Sequence, residues 1–145
     1  MKKIALTIGS LLLASTAFAK TTVHCQGADS STQLVTSFSL EASAFQADRL
    51  GGKSTELKTS VELGTAGAME QLSQQMTIKV TVWPKGTLKA KEEVRSYEGH
   101  YVTPNLKTGF SVAQSVDADG NITDIKNVFG LNGKAVGTCA VTEAQ

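Results

Sequence analysis

The side chains whose types and spacing bear on chemistry are few: two histidines, two cysteines and three short acidic groupings. Glu98 and His100 stand two residues apart. In a strand that spacing puts both on one face, where they offer two metal ligands. A metal site needs three or four, and no second pair accompanies them. His24 lies beside Cys25 and takes the opposite parity, so it should point away from the core. Asp117-Ala118-Asp119-Gly120-Asn121 invites a calcium reading. A calcium loop of the EF-hand type has Gly at its sixth position and Glu at its twelfth. Counted from Asp117, Gly120 comes fourth and Val128 twelfth. That register suits a hairpin loop, with a weak calcium site from Asp117, Asp119 and Asp124 as the alternative. Glu92 and Glu93 are neighbours, and neighbours in a strand face opposite ways. They do not flank one bond as an acid–base pair must. There is no Gly-x-Ser-x-Gly elbow, and a disulfide would remove both cysteines as nucleophiles. No catalytic set, metal set or cofactor is expected.

The two cysteines, Cys25 and Cys139, carry a structural message instead. The chain opens with Lys2-Lys3, continues with an apolar run from Ile4 to Ala14, and reaches Ala17-Phe18-Ala19. A positive start, about a dozen apolar residues and a small-x-small exit form a secretory signal of bacterial type. Residues 1–19 are therefore expected to be removed, leaving one domain over 20–145 in the periplasm or the medium. His24 before Cys25 does not fit a lipidation site. In such a compartment disulfides form and persist, so Cys25 and Cys139 are expected to bond. Closing a loop of more than 100 residues stabilises a fold by about 4–5 kcal/mol through chain entropy. The bond also brings the first and last strands within about 7 Å.

Loss of the signal removes two of the fourteen basic residues, leaving twelve against thirteen acidic ones. A near-neutral chain has no general attraction for nucleic acid or anionic membrane. No second apolar stretch is long enough to cross a membrane as a helix, so no transmembrane segment is expected in the mature chain. An outer-membrane barrel needs aromatic girdles and an apolar outer band. Few aromatics, with Glu56, Lys58, Glu62 and Lys79 on the polar parity, argue against one.

Period-two alternation dominates the mature chain and marks half-buried strands. Met76, Ile78, Val80 and Val82 share one parity. Thr55, Leu57, Thr59, Val61 and Leu63 share another, and so do Leu34, Thr36, Phe38 and Leu40. Phe110, Val112, Gln114 and Val116 form a further set, and Arg95, Tyr97 and Tyr101 lie together on one side of 94–102. Val23 pairs in parity with Cys25, and Gly137 and Val141 with Cys139. Turns separate these runs at Gly51-Gly52, Trp83-Pro84-Lys85-Gly86, Pro104-Asn105, Asp117–Asn121 and Asn132-Gly133. Residues 42–50 and 66–75 are the stretches able to hold a short helix. The fold class expected is all-β: a small antiparallel β-barrel, mostly up-and-down, with seven or eight strands and one disulfide. A β-sandwich is the alternative.

Such a chain reads as an exported, non-enzymatic β-scaffold that binds a protein, a glycan or a small apolar molecule. An envelope protein or glycan is the expected kind of partner. The alternative is a small periplasmic enzyme whose site is assembled by loops. Trp83, the single tryptophan, falls on the outward parity beside Lys85, Lys89, Lys91 and Arg95. Trp and Arg are over-represented among residues that dominate binding energy, which makes this segment the expected contact surface. The competing expectation is that the indole folds back over the end of the barrel.

Overall fold

The computed structural model describes residues 18–29, 31–87 and 91–144. Most of the expected export signal, residues 1–17, lies outside them, as does Lys89. Eleven strands form: β1 Phe18–Gly27, β2 Thr32–Glu41, β3 Gln46–Ala47, β4 Lys53–Thr59, β5 Val61–Thr65, β6 Ala68–Gln71, β7 Met76–Trp83, β8 Glu93–Val102, β9 Lys107–Val116, β10 Ile122–Leu131 and β11 Lys134–Ala144. They make one antiparallel half-barrel sheet in the order β3-β4-β7-β8-β9-β10-β11-β1-β2-β5-β6. There is one curved sheet rather than the two stacked sheets of a sandwich. No helix among the described residues is long and apolar enough to cross a membrane.

The alternating residues account for this wall. Side chains in a strand point alternately to opposite faces, so each apolar parity above becomes an inner face. Val23, Leu34, Phe38, Val61, Met76, Ile78, Val80, Tyr97, Tyr101, Phe110, Val112 and Phe129 are buried together. Burying a large apolar side chain stabilises a fold by about 1.5–3 kcal/mol. A one-residue slip would turn that whole set towards water, which fixes the register.

The first and last strands meet as expected. Cys25 sits directly opposite Cys139 in the β1–β11 ladder, with Cα atoms 3.9 Å apart, and the two are bonded. The turns are also where the sequence places them. Asn132 and Gly133 both have positive φ, 51° and 85°, as a two-residue type I′ hairpin requires. The Asp117 carboxylate accepts the N–H groups of Asp119 and Asn121 at 2.9 Å. Its oxygen is occupied in closing the hairpin.

The strand count differs from the expected seven or eight, because continuous runs are broken. The stretch 55–63, read as one strand, divides at Ser60 into β4, which pairs with β7, and β5, which pairs with β2. Thr36 Oγ1 donates to Ser60 O at 2.7 Å and Thr59 Oγ1 to Ser37 O at 2.8 Å. Two hydroxyls thus bridge the place where the partner changes. Of the two stretches able to hold a helix, the first keeps only a 3-10 turn at Ala42–Ala44. The second becomes the β5–β6 hairpin, which turns at Gly67 with φ 82°.

Candidate functional site

Arg95 does not join a surface cation group. Strand β8 turns it inward together with Tyr97 and Tyr101, and it is 2% exposed. Its Nε donates to Glu93 Oε2 on the same inner face at 2.5 Å. Gln114 stands opposite Arg95 on β9. Tyr97 and the buried Glu143 of β11 complete the group, joined by a hydrogen bond between their side chains. Desolvation raises the Glu143 carboxyl to about 8; the Arg95 charge and the Tyr97 hydroxyl pull it down and do not prevail. The same burial pushes the Tyr97 phenol far above its ordinary range. The inner face thus pairs Arg95 with Glu93 and places beside them a carboxyl, Glu143, that burial holds well above the usual carboxylate range. Glu143 Oε2 and Oγ1 of its cross-strand neighbour Thr21 are buried without a hydrogen-bond partner among the described residues. Sequence reasoning missed Glu93 and Glu143; the shared parity of Arg95 with Tyr97 and Tyr101 was the available signal.

This cluster predicts a pH dependence. The unfolded carboxyl loses its proton near 4.5 and the folded one near 8. Between those values the folded state binds more protons, so stability falls as pH rises. The slope is at most about 1.4 kcal/mol per pH unit. Below 4.5 both states are protonated and the contribution vanishes; above 8 the loss is complete. Glu143→Gln is expected to flatten most of this decline in urea unfolding measured at pH 5, 6.5 and 8. An unchanged decline would show that another group is responsible.

The indole of Trp83 is half-buried and lies against Gly52, where a Cβ would come within 2.7 Å of its Cδ1. The indole nitrogen is buried and has no acceptor among the described residues. Lys85 and Lys91 are exposed. Lys79 is exposed on the outer face, where Glu56 and Glu98 stand opposite it on the two neighbouring strands. The structure therefore separates the expected contact residues. Lys85 and Lys91 remain at the surface, Trp83 is partly folded back, and Arg95 is inside.

A different surface has the geometry of a site. On the outer face, the ladders align His100 of β8, Gly109 of β9, Gly130 of β10 and Ala135 of β11 in one row. Four adjacent strands about 4.8 Å apart give that row a length of about 15 Å. Two consecutive positions carry no side chain, so the row is a groove. Its volume is about 340 Å³. Val128 and Ser111 stand along one side, and Lys107, Gly133 and Lys134 at the turn end. No carboxylate lines it. Val128 is 38% exposed. A second depression of about 280 Å³, around Pro104, Leu106 and Asn132, adjoins it and shares Lys107 and Gly133.

The two glycines of the floor differ. A Cβ on Gly109 would stand 2.2 Å from the Gly99 carbonyl oxygen, so close approach of β8 and β9 requires glycine there. A Cβ on Gly130 would meet nothing nearer than 3.7 Å. Packing accounts for the first glycine and leaves the second without a packing role.

The sequence matches no protein family, no curated protein and no solved structure. Inferences about function rest on the geometry alone.

Proposed function

We propose that this chain is an exported, non-enzymatic binding module that takes its ligand in the groove over Gly109 and Gly130. The observation that carries this reading is Gly130. Glycine inside a strand costs about 0.5–1 kcal/mol relative to alanine and marks a bulge or a place where a ligand or another backbone comes close. The β10–β11 register does shift between Phe129 and Gly130, but Gly130 is not among the positive-φ residues, so the shift does not itself require glycine. A Cβ on Gly130 would meet only the Lys134 and Gly109 carbonyl oxygens, at 3.7 and 3.9 Å, which are ordinary contact distances. The groove volume of about 340 Å³ falls at the lower end of small-ligand sites, which span about 300–1,000 Å³.

The scaffold reading goes with this. The inner face of the half-barrel is packed with side chains. Recognition then falls to the outer face. The Cys25–Cys139 bond and the N-terminal signal pattern support an oxidising destination, the periplasm or the medium.

A second surface has one observation in its favour: the buried Trp83 Nε1 has no acceptor among the described residues. The two surfaces are separable with 8-anilinonaphthalene-1-sulfonate, a fluorophore with an aromatic body and an anionic sulfonate, as the probe. The native domain should show saturable enhancement with one site. Gly130→Val places a β-branched side chain in the groove where the backbone leaves room. It should keep or raise the melting temperature and remove the enhancement, while Trp83→Ala should retain it. Enhancement lost in Trp83→Ala and kept in Gly130→Val would move the site to the Trp83 turn.

A further inference from the structure

We infer that the ligand of this groove is a small amphipathic carboxylate, with its head at the turn end and its apolar body along the floor. The inference rests on the groove being a binding site, as proposed above, and adds the chemistry of its occupant. The lining is unequal from the turn side of the row to its Val128 side. Lys107 shares the outward parity of Gly109 and lies beside Asn132, and Lys134, which follows the Asn132-Gly133 turn, lines the same end. Two residues further along β10 from Gly130, about 7 Å away, the wall becomes Val128, and Ala135 faces Gly130 from β11. A chain that places its carboxylate between the two lysines runs over Gly130 and Gly109 towards Val128.

Charge and hydrogen-bonding capacity narrow the class. The mature chain as a whole is close to neutral, yet the groove gathers two lysines and His100 with no carboxylate among its lining residues. Glu98, one position beyond His100 on the same face, stands opposite Lys79 in the next strand. The sign of the site is therefore positive. A sugar would need several convergent polar side chains. Ser111 is exposed at the groove, but the Thr108 hydroxyl is already donated to Gly130 O at 2.7 Å. A groove of about 340 Å³ also suits a small molecule rather than the roughly 20–30 residues a side of a stable protein interface. An apolar body with one anionic head uses what the lining offers.

Displacement of the fluorophore by decanoate and by decan-1-ol tests this, with the native protein and a Lys107→Gln/Lys134→Gln variant, the affinity of the anionic probe being measured separately in each and used to convert displacement into competitor affinity. Both lysines are exposed, so the variant should fold. Decanoate should displace the probe from the native protein at least ten-fold better than decan-1-ol. The double variant should lose about ten-fold in decanoate affinity and nothing in decanol affinity. The native preference for decanoate should also shrink as salt rises from 0.05 to 0.5 M, because exposed charges are screened. Equal displacement by the acid and the alcohol, abolished by Gly130→Val, would overturn the carboxylate inference and leave the binding site standing. Absence of saturable probe binding to the native domain would overturn both.

Discussion

Arg95→Met should cost about 3 kcal/mol of stability, the largest loss expected from a single side chain in this domain. Breaking a buried ion pair by removing one partner costs about 3–5 kcal/mol, because the remaining charge is left uncompensated. The lower end applies here because the Glu93 side chain keeps 27% of its surface in water. Arg95 itself is 2% exposed. Its removal also strips Glu143 of the positive charge that limits its upward shift, so the variant should be weakest at high pH. The measurement is the urea midpoint at pH 8, with an unchanged slope showing that the same surface unfolds. A combined Arg95→Met/Glu93→Leu/Glu143→Gln variant should recover much of the loss, since burying no charge avoids the desolvation cost. A single variant within 1 kcal/mol of native would show that Arg95 is solvated in solution.

Cys25→Ala/Cys139→Ala should cost about 2–5 kcal/mol, the range for a native disulfide in a small domain. The bond spans 114 residues, which places the chain-entropy contribution near 4.7 kcal/mol. The native ladder alone holds β1 against β11 over Lys20–Gly27, and Asn127 Oδ1 still accepts the Cys139 backbone N–H at 2.9 Å. The double variant should therefore keep the strand content of the native domain at low temperature. Thermal unfolding followed by far-ultraviolet dichroism checks both statements. A variant as stable as the native protein would mean that the denatured chain gains no freedom when the bond is removed.

Most of the wall was legible because alternation is a local property. Met76–Val82, Leu34–Leu40 and Phe110–Val116 bury the residues that their parity assigns inward, and the Asn132-Gly133 turn follows from two residues that accept positive φ. The break at Ser60 was not legible. It depends on β2, where the Thr36 hydroxyl donates to Ser60 O and Ser37 O accepts from the Thr59 hydroxyl, and the alternation of 55–63 passes through it undisturbed. Arg95 was misplaced for a similar reason. Its parity with Tyr97 and Tyr101 pointed inward, but its neighbours in sequence are lysines, and its interior companion Glu143 arrives from the last strand. Gly130 was silent as well. The space above a glycine is set by three other strands, and only with β8, β9 and β11 in place does Gly109 become a packing requirement and Gly130 an opening.

The central claim is that recognition occurs on the outer face of β8 to β11. Backbone amide shifts of the isotope-labelled native domain, followed during titration with 8-anilinonaphthalene-1-sulfonate, test it most directly. The account predicts saturable shifts confined to Gly99–Gly109, Phe110–Ser111 and Val128–Ala135, with Gly130 and Gly133 among the largest and the Trp83 indole N–H unmoved. Shifts centred on Trp83, Lys85 and Gly52, with Gly130 unmoved, would contradict it.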